Sequence, residues 1–122
     1  DQAVAKACEV TKAEVVDYTV APVFMDGKEK GAHEWMIEFR RHPENFAAFC
    51  DVLDTTLKSL NSDYEAKRLN NMTLNPPLVN VAPDNLFYHW LKRQDKLGGQ
   101  HKIPRLSNQR NYMDELKDMC RN

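Results

Sequence analysis

VVDYTV (Val15–Val20), MDGKEKG (Met25–Gly31) and HEWMIEFR (His33–Arg40) are the pieces of sequence from which the fold follows. The first is β-branched and aromatic, and strict alternation puts Val16, Tyr18 and Val20 on one face. The third alternates as well, with Trp35, Ile37 and Phe39 on one side and Glu34, Met36 and Glu38 on the other. The middle piece is polar and bounded by glycine, so the three together predict an antiparallel hairpin. Its tryptophan face needs helices to cover it, while Glu34 and Glu38 are expected to face solvent.

The flanks supply those helices. Gln2–Lys12 carries Val4, Ala7 and Cys8 at helical spacing. On the other side Pro43 opens a segment in which Phe46, Phe49, Cys50, Leu53, Leu57 and Leu60 recur every three or four residues, an amphipathic helix of about four turns. Asn61-Ser62 breaks it, and Asp63–Leu69 (DYEAKRL) predicts a further helical turn or two, with Glu65, Lys67 and Arg68 in water. Asn70–Pro77 reads as an Asn/Pro-rich loop, and Leu78–Val81 as a short strand. Asp84 is a candidate cap for a helix burying Leu86, Phe87, Trp90 and Leu91. Gly98-Gly99 ends that helix, Gln100–Leu106 is extended because Pro104 disfavours helix at Ile103, and Ser107 or Asn108 caps a last helix with Tyr112, Met113, Leu116 and Met119 inward. The order is α-β-β-α-(α)-β-α-α, which predicts an α+β domain with a small mixed or antiparallel sheet packed by helices. Trp35, Trp90, Phe46, Phe49, Phe87 and Tyr112 are the expected core.

Composition bounds the rest. The 122 residues amount to one domain, with 17 basic against 18 acidic residues and a net charge of −1, so nothing favours nucleic acid or an anionic membrane as a partner. No apolar run approaches the roughly 20 residues of a membrane-spanning helix, and no signal peptide opens the chain. A soluble, cytoplasmic protein is expected. Cys8, Cys50 and Cys120 and the four histidines are scattered, without the clustering that a metal site requires. Free thiols in a reducing compartment are the expected state. The chain begins at Asp1, already inside a helical pattern, which suggests a piece of a longer protein.

Two polar groups lie outside the periodic elements, where functional residues collect. One is Asn61–Arg68 (NSDYEAKR). The other is Gly98–Arg105 (GGQHKIPR), in which His101, Lys102 and Arg105 offer donors to an anion beside two glycines. The second is not a phosphate-binding P-loop, because the spacing and the Lys-Ser/Thr pair are missing. On residue types alone, solvated surface explains both groups, and no nucleophile–base arrangement is visible.

At these groups a family resemblance appears. GAHEWMIEF, FAAFCDVLDTTLKSLNSDYEAKRLNNMTLNPPLVNVAP and FYHWLKRQDKLGGQHKIPRLSNQRNYMDEL, taken in order, resemble the C-terminal domain of the auxin-responsive Gretchen Hagen family, the acyl-acid amido synthetases. The likeness runs from about Val15 to Leu116 and is strongest at LNSDYEAKR and QHKIPR, with GGQHKIPRLSN closer to bacterial members than to plant ones. It implies residues 1–122 to be a single domain, the C-terminal fragment of a two-domain adenylating enzyme. In that family an N-terminal domain binds ATP, magnesium and a carboxylic acid and forms an acyl-adenylate, and the C-terminal domain swings over the same site while an amino acid attacks to give an amide. The resemblance implies a catalytic role for Lys102, a positioning or phosphate-contacting role for His101 and Arg105, and nucleotide or interface contacts for Tyr64, Lys67 and Arg68. The fragment alone is expected to be inactive. The competing readings are a non-catalytic binding or regulatory module of the same fold, and an adenylating enzyme that uses a thiol acceptor.

Overall fold

The computed structural model describes residues 1–24, 31–69, 74–93, 103–107 and 109–120. Helix α1 (Gln2–Thr11) leads into β1 (Glu14–Phe24) and β2 (Gly31–Arg41), followed by α2 (Phe46–Leu60), α3 (Ser62–Arg68), β3 (Leu78–Val81), α4 (Leu86–Arg93) and α5 (Asn111–Cys120). The expected order of elements is therefore observed. The sheet is mixed, in the order β1-β2-β3: β2 is antiparallel to β1 and parallel to β3.

Because β2 is central, both of its faces are covered. Trp35, Ile37 and Phe39 join Tyr18 and Val20 of β1 under Ala3, Val4 and Ala7 of α1 and Phe49 and Leu53 of α2. Met36 and Ala21 face the other way, against Leu86, Phe87 and Trp90 of α4, Met113 and Leu116 of α5, and Ile103. The result is three layers, helices–sheet–helices, with two cores back to back across one strand.

The helix ends use local chemistry. The Asn45 side chain accepts from the Ala48 N–H and starts α2. Asn61 closes α2 and opens α3, its side chain accepting from the Asp63 and Tyr64 N–H groups. That one residue turns the chain between two helices without a linker. At the start of β2, Gly31 is required by close approach: a Cβ there would lie 2.7 Å from the Val23 carbonyl oxygen.

Several expectations are corrected. Val16 does not share the face of Tyr18 and Val20. Val15 pairs with Phe39 and Asp17 with Glu38, so Val16 is the extra residue of a β-bulge and is 45% exposed. The bulge lets Val15, Tyr18 and Val20 all face the first core despite their uneven spacing. Glu34 and Glu38 are buried, not solvated, because α4 and α5 cover that face. Glu34 accepts from Arg110, Lys117 and Asn80 at 2.8–3.0 Å. Burial alone would raise its pKa, but these hydrogen bonds and the Lys117 charge hold it below the usual carboxylate range. Glu38 accepts from the Asn85 and Phe87 N–H groups and takes over at the start of α4 the role expected of Asp84, which is exposed. Phe46 and Leu60, the two end residues of α2, are 39% and 53% exposed because that helix overruns the sheet face it covers. Tyr112 is only half-buried, against Trp90. The last helix begins at Asn111, later than a Ser107 cap implies; Ser107 instead accepts from the Gln109 N–H in the preceding turn. Asn108 lies outside the described residues, as do residues 25–30, 70–73 and 94–102 of the expected loops and helix end.

Candidate functional site

The segment after Lys102 is fixed to the open edge of β1. Ile103 is buried in the second core. The Thr19 hydroxyl, itself 1% exposed, donates to the Pro104 carbonyl at 2.5 Å. The Val20 N–H donates to the Arg105 carbonyl and the Ser107 N–H donates back to Val20, making a parallel bridge between Val20 and Leu106. Pro104 has no N–H to lose at such an edge and holds Ile103 extended, as the sequence implies.

The Arg105 side chain lies over the Tyr18 ring, 4.5 Å from its centroid, with the Asp17 and Asp1 carboxylates each 3.4 Å away. The Tyr18 hydroxyl also donates to Asp1. Arg105 is thus a clamp between the anchored segment, β1 and the start of α1. His101 and Lys102 lie outside the described residues.

Residues Tyr64 and Arg68 meet at a different place. Asp54 of α2 accepts from the Tyr64 hydroxyl at 2.6 Å and from Arg68 Nε and Nη2 at 2.9 and 2.6 Å, and Lys58 stands 3.6 Å away. Arg68 also donates to the Leu74 carbonyl at 3.2 Å. Its side chain is 5% exposed, against the sequence expectation of a solvated residue, because its partner sits 14 residues back on a neighbouring helix. Burial works to raise the Asp54 pKa, but Arg68 and Tyr64 donate to the carboxylate and hold the pKa below the usual carboxylate range. Burial and the Asp54 hydrogen bond push the Tyr64 hydroxyl far up, so it stays protonated and cannot serve as a base. Asp54 thereby ties α2, α3 and Leu74 into one corner. Lys67 points out to solvent, paired with Asp63 at 3.0 Å.

Between this corner and the Arg105 clamp is a cleft of about 380 Å³, lined among others by Tyr18, Val20, His33, Trp35, Tyr64 and Arg105. It brings together residues of both polar groups that the sequence singles out, Asn61 and Tyr64 from the first and Arg105 from the second. Two ring pairs line it: Tyr18 with Trp35, centroids 5.5 Å apart, and His33 with Tyr64, 6.0 Å apart. Burial and the Lys67 charge lower the His33 pKa, which keeps that ring neutral near pH 7. The indole N–H of Trp35 has no partner among the described residues although the residue is 6% exposed. Such an orphan donor costs about 1–3 kcal/mol. Sequence reasoning misses Trp35, His33, Tyr18 and Asp54 as site residues, because their alternating or helical spacing reads as ordinary packing.

A family model described as the GH3 family C-terminal domain matches residues 1–111. The chain belongs to this family. Two solved structures share the fold of this GH3 domain. One is described as GH3.15 acyl acid amido synthetase, at a TM-score of 0.70 and 20% identity. The other is described as AtGH3.15 acyl acid amido synthetase in complex with 2,4-DB, at a TM-score of 0.73 and 19% identity. Each likeness covers 96% of this chain but 22% of the other, so the chain spans about a fifth of the length of those proteins. No curated protein matches it. Among the described residues of the GH3 domain, Cys8, Cys50 and Cys120 are free thiols, no His/Cys/Asp/Glu group has metal-site geometry, and no helix is long and apolar enough to cross a membrane.

Proposed function

We propose that this GH3 domain is the mobile C-terminal part of an ATP-dependent acyl-acid amido synthetase that works in the cytoplasm and is of the bacterial type suggested by GGQHKIPRLSN. The observation that carries the reading is the family match over residues 1–111, which includes both polar groups. The reaction is adenylation of a carboxylic acid followed by amide formation with an amino acid. ATP and magnesium are held mainly by an N-terminal domain, and this domain closes over the site they occupy.

Lys102 is the catalytic residue of this reading. Its ammonium supplies a compact positive charge between the acyl carboxylate and the α-phosphate, where negative charge accumulates during adenylation, and it does so without losing its proton. Support comes from its neighbour: Ile103 is buried and Pro104 is held by Thr19, so the backbone is pinned one residue beyond the lysine. Arg105 acts as a positioning residue, its guanidinium engaged with Tyr18, Asp17 and Asp1. His101 assists beside the phosphates. Tyr64, Lys67 and Arg68 serve the interface between domains, Lys67 from the surface and the other two through the Asp54 corner.

ATP–pyrophosphate exchange tests this on the longer enzyme that carries the domain, across a panel of carboxylic acids. The wild type is expected to exchange, and Lys102→Ala to lose about two orders of magnitude in rate while staying folded. An unaffected variant removes Lys102 from the adenylation step, and no exchange with any acid overturns the ligase reading. The 122-residue chain alone is expected to show none.

A further inference from the structure

A buried hydroxyl on β1 does more than packing requires. Thr19 is 1% exposed and stands opposite Met36 in the β1–β2 register, on the face of the sheet that carries the second core. Valine would fill the same space there without the cost of burying a hydroxyl. What the hydroxyl adds is one directed bond, to the Pro104 carbonyl at 2.5 Å, and that bond falls where the backbone has least to offer. The ladder on the outer edge of β1 joins Val20 to Arg105 and Ser107. The next donor back along that edge, the Tyr18 N–H, is spent on the Asp17 side chain at 2.8 Å, and Pro104 has no N–H of its own. Among the described residues the ladder therefore stops at Arg105. From there towards Lys102 the chain is held by the Thr19 bond and by the burial of Ile103.

We propose that Thr19 is a positioning residue for carboxylate adenylation, acting through the Pro104 carbonyl on the backbone two residues beyond Lys102. The role rests on the reading of Lys102 as the catalytic residue. Thr19 is closed to solvent, so it touches no substrate. Its effect is to narrow the range of places that the ammonium visits, and a charge aimed at developing negative charge loses its effect when its position is spread. Loss of the bond therefore slows the chemical step and leaves the binding of ATP and acid unchanged.

The test is ATP–pyrophosphate exchange by the longer enzyme that carries the domain, with wild type, Thr19→Val, Thr19→Ser, Lys102→Ala and the Thr19→Val/Lys102→Ala double variant. Thr19→Val is expected to lose about five-fold in kcat, the equivalent of one neutral hydrogen bond, with KM for ATP and for the acid unchanged. Thr19→Ser keeps the hydroxyl and is expected to keep the wild-type rate. In the Lys102→Ala background Thr19→Val is expected to cost nothing further, because no ammonium remains to be positioned. If Thr19→Val does not fold, Thr19→Cys, close in size and only a weak donor, replaces it. A wild-type kcat in Thr19→Val, a loss carried by KM, an equal loss in Thr19→Ser, or a loss that persists without Lys102 would each overturn the proposal and leave the ligase reading standing. A wild type that exchanges with no acid, or a Lys102→Ala variant that exchanges normally, would overturn the reading of Lys102 and the proposal with it.

Discussion

Asp54 carries more of this molecule than its place on a helix face suggests. With Tyr64, the Nε and Nη2 of Arg68 and the Lys58 charge directed at one carboxylate, its removal takes away the charge that Asp54 sets against a buried guanidinium. Asp54→Asn is expected to cost about 3 kcal/mol, read from the midpoint of urea unfolding. The same geometry sets the acid response. Asp54 and Glu34 both have folded-state pKa values below their ordinary ones, so the unfolded chain takes up their protons first. Their contribution is complete above the usual carboxylate range and lost as pH falls through the folded values. His33, also lowered, acts with the same sign over a higher window, below its ordinary value of 6.5. Stability is therefore expected to decline in two stages on acidification, and Glu34→Gln to flatten the lower stage; a wild-type profile level from pH 7 to pH 3 would refute this. None of it is legible in the sequence. DYEAKR looks like a solvated turn because the acid that claims Arg68 sits 14 residues earlier, and Glu34 looks solvated because alternation cannot say whether a second layer exists.

Among the elements, β1 does two jobs. One edge makes the hairpin with β2, and the other holds Pro104, Arg105 and Ser107. Thr19 is the pivot, a buried polar residue whose hydroxyl spans 85 positions of sequence to reach the Pro104 carbonyl. Thr19→Val removes that bond and leaves a carbonyl unpaired. Amide exchange of the Ser107 N–H is expected to quicken about five-fold, while Thr19→Ser, which keeps the hydroxyl, changes it little. Equal exchange in both variants would show that the backbone bridge to Val20 holds the segment by itself. The hairpin, the long helix and the extended run around Pro104 are all readable from periodicity and proline chemistry. The bulge at Val16 is not, because two adjacent valines satisfy strand propensity in either register and only packing under α1 and α2 selects the one with Val15 inward.

For the whole molecule, the decisive feature is that one strand serves both cores. Trp35, Ile37 and Phe39 point into the first and Met36 into the second, so neither core persists if β2 leaves. A single cooperative transition is expected. Trp35 reports the first core and Trp90 the second, so Trp35→Phe and Trp90→Phe each leave one tryptophan to be excited selectively. For each variant, the transition followed by fluorescence should have the same midpoint as that followed by far-UV circular dichroism, and separated midpoints would mean that the cores unfold independently. The sequence by itself determined the order of elements, the hairpin, the main buried helix face and the two polar groups, because each is written in local spacing and turn chemistry. The tertiary structure alone decided that the sheet is mixed, that Glu34, Glu38 and Arg68 are buried, and that Tyr64 and Arg105 border one cleft beside an unpaired indole N–H. Those facts depend on which surfaces meet across long stretches of chain, and hydrophobic periodicity records that a face is covered without recording by what.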